Sequence, residues 1–191
     1  MSATERIDGR SAGVGVATGL AAFLLGYLVT YVTQRSSVEE SLQTVNAILE
    51  LFGSDSIPPA QAVGWVFYNA HFVDTEIDVF GQRTVNFIAE SDGGSMTFLY
   101  AVPPILLVLA GVAVATYVAA EGPVAGAASG ALVTLGYLPA AIAGRFAVTY
   151  TVGDSTVAPD LVTAVLLAGA VYPLALGAIG GAIAGIVATA R

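Results

Sequence analysis

The chain has 191 residues, 56% of them hydrophobic and 10% charged, with a mean hydropathy of +0.80 and a net charge of −8. An ordinary soluble domain carries about 25% charged residues, so the composition argues against one and rules out a disordered chain and a coiled coil. Six basic residues against fourteen acidic ones exclude a basic nucleic-acid binder, and the lack of cysteine excludes disulfides, thiol nucleophiles and Cys-ligated metal or haem.

The first apolar segment is Ser11–Thr33. Its uncharged core, Val14–Val32, is about 20 residues long, enough to cross the hydrocarbon of a bilayer. Arg6 and Arg10 precede it as they would in a signal peptide. The apolar run is too long for that, and no small-residue cleavage site follows, so a retained helix is expected. Gln34-Arg35 marks its border.

Residues 34–95 form an acidic insertion. The stretch 34–96 holds nine acids (Glu39, Glu40, Glu50, Asp55, Asp74, Glu76, Asp78, Glu90 and Asp92) and two arginines, Arg35 and Arg83. It therefore carries −7 of the −8. All six basic residues of the chain are Arg. A dense carboxylate surface without lysine is expected of a salt-adapted protein, because salt screens its self-repulsion. Ser37-Val38-Glu39-Glu40 reads as a capping box opening an amphipathic helix with Val38, Leu42, Val45, Leu49 and Phe52 on one stripe, closed by Gly53. Pro58-Pro59 opens a second helix, to Phe72, too short to span and rich in aromatics. Glu76–Phe80 and Arg83–Ala89 flank Gly81-Gln82, the pattern of a β-hairpin on a two-residue turn. Ser91–Ser95 is a flexible return.

Three further spans follow, at about 96–120, 123–150 and 160–190. Pro103-Pro104 predicts a kink near the start of the second. Glu121-Gly122-Pro123 is a tight turn that makes spans two and three an antiparallel hairpin. Thr151–Ala158 reads as a short outer loop. Tyr172-Pro173 interrupts the fourth span. The expected fold is an all-α membrane protein: a four-helix transmembrane bundle with a small α+β extracellular insertion, two helices and a β-hairpin, between spans one and two. The corresponding units are 1–33, 34–95 and 96–191.

Four spans place both termini on one side. Arg6, Arg10 and Arg191 lie there, against Arg35, Arg83 and Arg145 on the other. Discounting Arg83, which is remote from any span, cytoplasmic termini and an external acidic insertion are expected, in the cell membrane.

Small residues recur at four-residue spacing: Gly15 and Gly19 in span one, Gly126 and Gly130 in span three, Gly177, Gly181 and Gly185 in span four. Bare backbone on one face lets helices approach closely in lipid, within the chain's own bundle or against another protein. Arg145 is the one basic residue near membrane depth; it either snorkels or pairs with Asp154, Asp160 or Tyr150. Trp65, Tyr68 and His71 on the short helix either seal the bundle top or form a partner surface, since Trp and Tyr are common anchors. His71 with Asp74, Glu76 and Asp78 falls short of a zinc ligand set, and carboxylates alternating on a strand are what a solvated face gives, so no metal is expected. No nucleophile elbow, phosphate loop or dinucleotide fingerprint occurs; no catalytic residue and no cofactor are expected.

The run Gly64-Trp65-Val66-Phe67-Tyr68-Asn69-Ala70-His71-Phe72-Val73-Asp74, together with the layout of the whole chain, resembles a family of small haloarchaeal four-span membrane proteins without an assigned function. The resemblance implies the fold and a salt-adapted host, and no activity. Read together, the residues predict a non-enzymatic membrane protein acting by association, as an accessory subunit, scaffold or assembly factor. Its partners are the lipid bilayer and another membrane or envelope protein, or a second copy, with no nucleic acid. The alternative is an oligomeric channel or a transporter of ions or small solutes, because prolines break the spans.

Overall fold

The computed structural model describes residues 9–78, 83–153 and 155–190. In chain order these form α1 (Gly9–Leu51), α2 (Pro59–Asn69), β1 (Thr75–Ile77), β2 (Arg83–Val85), α3 (Val102–Tyr117), α4 (Pro123–Gly130), α5 (Thr134–Ala147), β3 (Tyr150–Val152), β4 (Ser155–Pro159), α6 (Leu161–Thr163) and α7 (Tyr172–Thr189). Four helical stretches are long and apolar enough to cross a membrane: Gly9–Leu51, Thr97–Tyr117, Pro123–Ala147 and Leu161–Thr189. The chain is thus mostly helical with a small sheet.

The first span and the amphipathic helix are one element. α1 runs 43 residues without a break, about 64 Å at 1.5 Å per residue. The capping box at Ser37 does not open a new helix. Ser37 keeps its helical carbonyl, which accepts from the Ser41 hydroxyl at 2.8 Å, and Arg35 bridges to Glu39 at 2.7 Å across the expected border. Between Val32 and Phe52 there is neither Gly nor Pro, so nothing offsets helix propagation once the span has nucleated it. The helix ends at Gly53, in the left-handed region at φ +72°, with Ser54 N–H on Leu49 O and Gly53 N–H on Glu50 O. That is a Schellman closure.

The same closure ends two other helices without glycine. After α2, Phe72 sits at φ +58°, with Val73 N–H on Tyr68 O and Phe72 N–H on Asn69 O. After α3, Ala119 sits at φ +51°, with Ala120 N–H on Ala115 O. A side chain in that region costs about 1–2 kcal/mol. At Phe72 a parallel stack on Tyr100, ring centroids 4.5 Å apart, offsets it.

Proline shapes the other spans. A 3₁₀ stretch, Thr97–Ala101, leads into α3, whose first turn holds Pro103. The expected kink is therefore a change of helix type at the span's entrance, where the missing N–H costs nothing. In the fourth span the backbone widens to a π-helix over Ala164–Val171, just before Pro173, and Tyr172 N–H reaches back to Leu167 O. Pro139 stays inside α5.

The sheet departs most from expectation. The hairpin is shorter than the sequence predicts: Thr75 pairs with Val85 and Ile77 with Arg83. Five residues separate those paired ends, and the expected turn residues, Gly81 and Gln82, lie outside the described residues. Thr151–Ala158 is not a plain loop. It contributes β3 and β4, and β4 pairs antiparallel with β1, giving a four-stranded sheet in the order β2-β1-β4-β3. The insertion and the connection between spans three and four are one body.

The spans meet backbone to backbone. A Cβ added at Gly126 or Gly130 would fall on the carbonyl oxygen of Gly181 or Gly177, and one at Gly181 on the carbonyl of Gly126. Gly111 faces Gly177, Gly180 faces Val108, and Gly185 faces Gly122, whose N–H donates to Gly185 O at 3.0 Å. A second seam joins α1 to the third span: Gly15 lies on Leu132, Gly19 on Val133 and Gly136, and Gly136 on Val16. Gly181→Ala should therefore lower stability by about 1–3 kcal/mol, as an overpacked site does, because Gly130 Cα lies 2.9 Å from the new Cβ. Gly13→Ala, with nothing within 4 Å, should leave stability unchanged or raise it slightly. Thermal melts of both variants in detergent check this; equal melts would show that the seam tolerates a methyl group.

Candidate functional site

The sequence-predicted polar and aromatic residues converge where α2 lies over the bundle. Every residue from Ala62 to Asn69 is buried. Gly64 allows this, since its α-carbon abuts the side chain of Val148. Phe67 and Tyr68 meet Phe23 of α1 edge-on, with centroids at 5.0 and 6.4 Å. Gly26 is the gap that receives the Phe67 ring.

The buried polar side chains of Trp65, Tyr68, Asn69 and His71 each take a main-chain or hydroxyl partner. Trp65 Nε1 donates to Val148 O at 2.7 Å, just past the end of α5, where that carbonyl has no helical N–H. The Tyr68 hydroxyl donates to Ala141 O. Its pKa is raised, burial being the cause. Asn69 ties three segments: its amide donates to Val73 O at 2.8 Å and to Thr75 Oγ1 at 3.3 Å, and its Oδ1 accepts from Phe87 N–H at 2.9 Å. His71 has no exposed surface; its Nδ1 lies 3.0 Å from Phe67 O and its Nε2 2.7 Å from the Tyr137 hydroxyl. The tautomer that satisfies both contacts has Nδ1–H donating to the carbonyl and Nε2 accepting from the phenol. Burial lowers its pKa to about 4.

Trp65, Tyr68 and His71 are thus not a partner surface. Their exposures are 4%, 1% and 0%, because the indole, phenol and imidazole each need a hydrogen bond that only the bundle supplies. His71 is buried and spends both ring nitrogens on Phe67 O and Tyr137, whereas Asp74, Glu76 and Asp78 are exposed.

Arg145 stands at the end of α5. Its Nε donates to Pro159 O at 3.0 Å, and the guanidinium lies 5.2 Å from the ring centroid of Phe146. Of the partners expected from sequence, Asp160 feels its charge and Asp154 lies outside the described residues. Burial raises the Asp160 carboxyl, but hydrogen bonds from Thr163, whose N–H and hydroxyl both donate to it, outweigh that and leave its pKa lowered. Asp160 is the N-cap of α6. The glycine stripes lie in the seams described above: Gly15 and Gly19 against the third span, Gly126 and Gly130 against Gly177, Gly181 and Gly185.

What sequence reasoning missed is outside this plug. The far end of α1 splits its apolar residues. Val38 is buried and Leu42 and Leu49 half-buried, and Asn46 clamps the returning chain through both the N–H and the carbonyl of Ile57. Val45, Ile48, Leu51 and Phe52 are exposed, at 44%, 49%, 85% and 83%. Their i, i+3, i+7 spacing was the available signal.

The chain belongs to a family of unknown function (DUF7978), whose pattern matches residues 1–188. The resemblance carried by Gly64–Asp74 therefore holds at the level of a family without an assigned activity. A search of the curated proteins and a search of the solved structures each found no match.

His71 is the chain's only histidine, which makes its burial testable. The folded state keeps it neutral down to about pH 4, while the unfolded chain protonates it near 6.5. Its contribution is therefore complete above pH 6.5 and is lost as pH falls from 6.5 toward 4, where the unfolded state binds the extra proton. His71→Gln should melt lower at pH 7.5 and show a flatter fall in melting temperature across that window. Parallel pH profiles for the two proteins would overturn the assignment.

Proposed function

We propose that this is a non-enzymatic membrane protein that works by association, as an accessory subunit, scaffold or assembly factor. The observation that carries the reading is the stripe Val45, Ile48, Leu51 and Phe52, exposed at the end of α1. It lies beyond the polar run Thr33–Ser37, on the part of the helix that a bilayer-spanning length does not need. Contiguous apolar surface rimmed by polar groups marks an interaction site. Glu40 before it and Glu50 within it put negative charge beside it on the same helix. Two copies side by side would bring like charges together, so the occupant is another membrane or envelope protein that offers an apolar helix face with basic flanks.

The competing reading, a channel or small transporter, draws support from the π-helix at Ala164–Val171, a feature frequent at functional sites. Against it, the glycine contacts between α3, α4 and α7 leave no room for a side chain between them.

Placement completes the reading. The acidic insertion and sheet lie outside the cell, and both termini are cytoplasmic. The acids support this and a salt-rich environment, since all nine insertion carboxylates are exposed or half-exposed. With no native cysteine, Asp92→Cys should label only from outside and Glu121→Cys only from the cytoplasm; the reverse pattern overturns the orientation.

The association is tested by a photo-crosslinker at Ile48 in cells. One discrete protein adduct is expected. Leu51→Asp with Phe52→Ser should abolish the adduct and leave the detergent melting temperature unchanged. A dimer of the chain itself would replace the hetero-partner by a second copy, and adducts to lipid alone would overturn the reading.

A further inference from the structure

The outer face of the sheet carries a depression that neither the plug nor the stripe uses. Its volume is 360 Å³, and Glu76, Asp78, Arg83, Thr84, Arg145 and Thr156 line it. The register explains the convergence. Glu76 pairs with Thr84 on one side and Ala158 on the other, so Glu76 and Thr84 share a face with Thr156, two residues from Ala158. Arg145 comes in from α5, fixed by its Nε on Pro159 O.

Of the polar groups there, Arg83 is turned to Glu90 at 3.4 Å. Among the described residues, the Nη atoms of Arg145 and the side chains of Glu76, Asp78, Thr84 and Thr156 make no hydrogen bond or ion pair, although opposite charges line one hollow. The guanidinium and the carboxylates are therefore more than 4 Å apart, with room between them.

Charge decides what fits. A bare anion at Arg145 would face two carboxylates. A divalent cation at Glu76 and Asp78 would face Arg145. A molecule with both charges satisfies both ends, and the volume lies in the range of small-molecule sites, about 300–1,000 Å³. We propose that this depression binds a small zwitterion, its anionic group on the Nη atoms of Arg145 and its ammonium on Glu76 and Asp78. Thr84 and Thr156 add hydroxyls to the same lining. Arg145 stands at the end of the third span, Pro123–Ala147, so the site borders the headgroup layer. The ligand thus comes from either a phosphate–amine headgroup or a free solute. The site stands independently of the association reading, which uses α1.

The test titrates O-phosphoethanolamine and glycine betaine into the full chain in nanodiscs of phosphatidylglycerol, followed by calorimetry. Saturable binding of at least one is expected, with inorganic phosphate and ethanolamine alone weaker by about tenfold or more, since each lacks one charged contact. Glu76→Gln and Arg145→Gln should each weaken it by a similar factor, and Asp92→Asn, an exposed carboxylate outside the lining, should not. Glu76 is exposed, so its variant stays folded even where Arg145→Gln does not; buried Trp65 fluorescence reports this. Adding phosphatidylethanolamine to the nanodiscs separates the sources: loss of the soluble ligand's binding assigns a headgroup, and unchanged binding assigns a solute. No saturable binding of either probe, equal binding of phosphate alone, or a folded Glu76→Gln that binds like the native protein each overturns the proposal.

Discussion

Close backbone contact across glycine seams is the constraint on which the rest of the structure depends. Between helices in lipid there is no water to expel, so association rests on van der Waals contact and on hydrogen bonds. Glycines at 126, 130, 177, 181 and 185 remove the side chains that would hold α4 and α7 apart, and carbonyl oxygens of one helix lie against α-carbons of the other. The Gly122 N–H to Gly185 O bond locks the same seam at its end. A seam of this kind has one register. A shift by one residue would drive Ala, Val or Leu side chains into backbone. The far ends of the spans are fixed by it, and that is where β4 has to meet β1.

The sheet then does what a single hairpin could not. Two short strands alone are marginal in water. β1 gains a second partner because β4 returns from α5, and the main chain adds further ties at Asp78 N–H to Thr156 O and Asp160 N–H to Asp74 O. α2 is held between this sheet and the bundle, which explains its chemistry. A helix buried on every side has no solvated face for its polar groups. Trp65, Tyr68, Asn69 and His71 are nonetheless polar, and each ends on a carbonyl, hydroxyl or N–H of the elements packed around it. They specify where the plug sits in a site whose apolar walls would accept several positions.

The sequence made the four apolar spans, the helix starting at Pro59 and the Gly53 closure legible, because each rests on a local rule: span length, proline at a first turn, glycine at a left-handed cap. Three features rested on non-local facts. The capping box at Ser37 looked like a start because its side chains suit one, yet the helix was already running from Gly9 and met no breaker. Thr151–Ala158 looked like a loop although β3 and β4 pair with each other locally, because what holds β4 in the sheet is β1, some eighty residues earlier. Trp65, Tyr68 and His71 read first as a seal, with a partner surface as the alternative, since an aromatic stripe on an 11-residue helix gives no sign of what covers it. Arg145 was legible as a charge needing company, but not its company: a backbone carbonyl leaves no mark in a sequence.

The two ends of the molecule therefore differ in kind. At the α4–α7 seam, contacts run between backbones, and specificity is steric. At the sheet, Arg145 is positioned by the strand it touches: Pro159, whose carbonyl holds its Nε, pairs with Thr75, the neighbour of Glu76. The spacing between guanidinium and carboxylate is thus set by ladder hydrogen bonds and not by the attraction of the two charges. An ion pair free to choose its geometry would close and neutralise itself. Here Arg145, on α5, is held by its Nε on β4 and the backbone of Glu76 is held in β1, so the guanidinium and the carboxylate line the hollow without meeting.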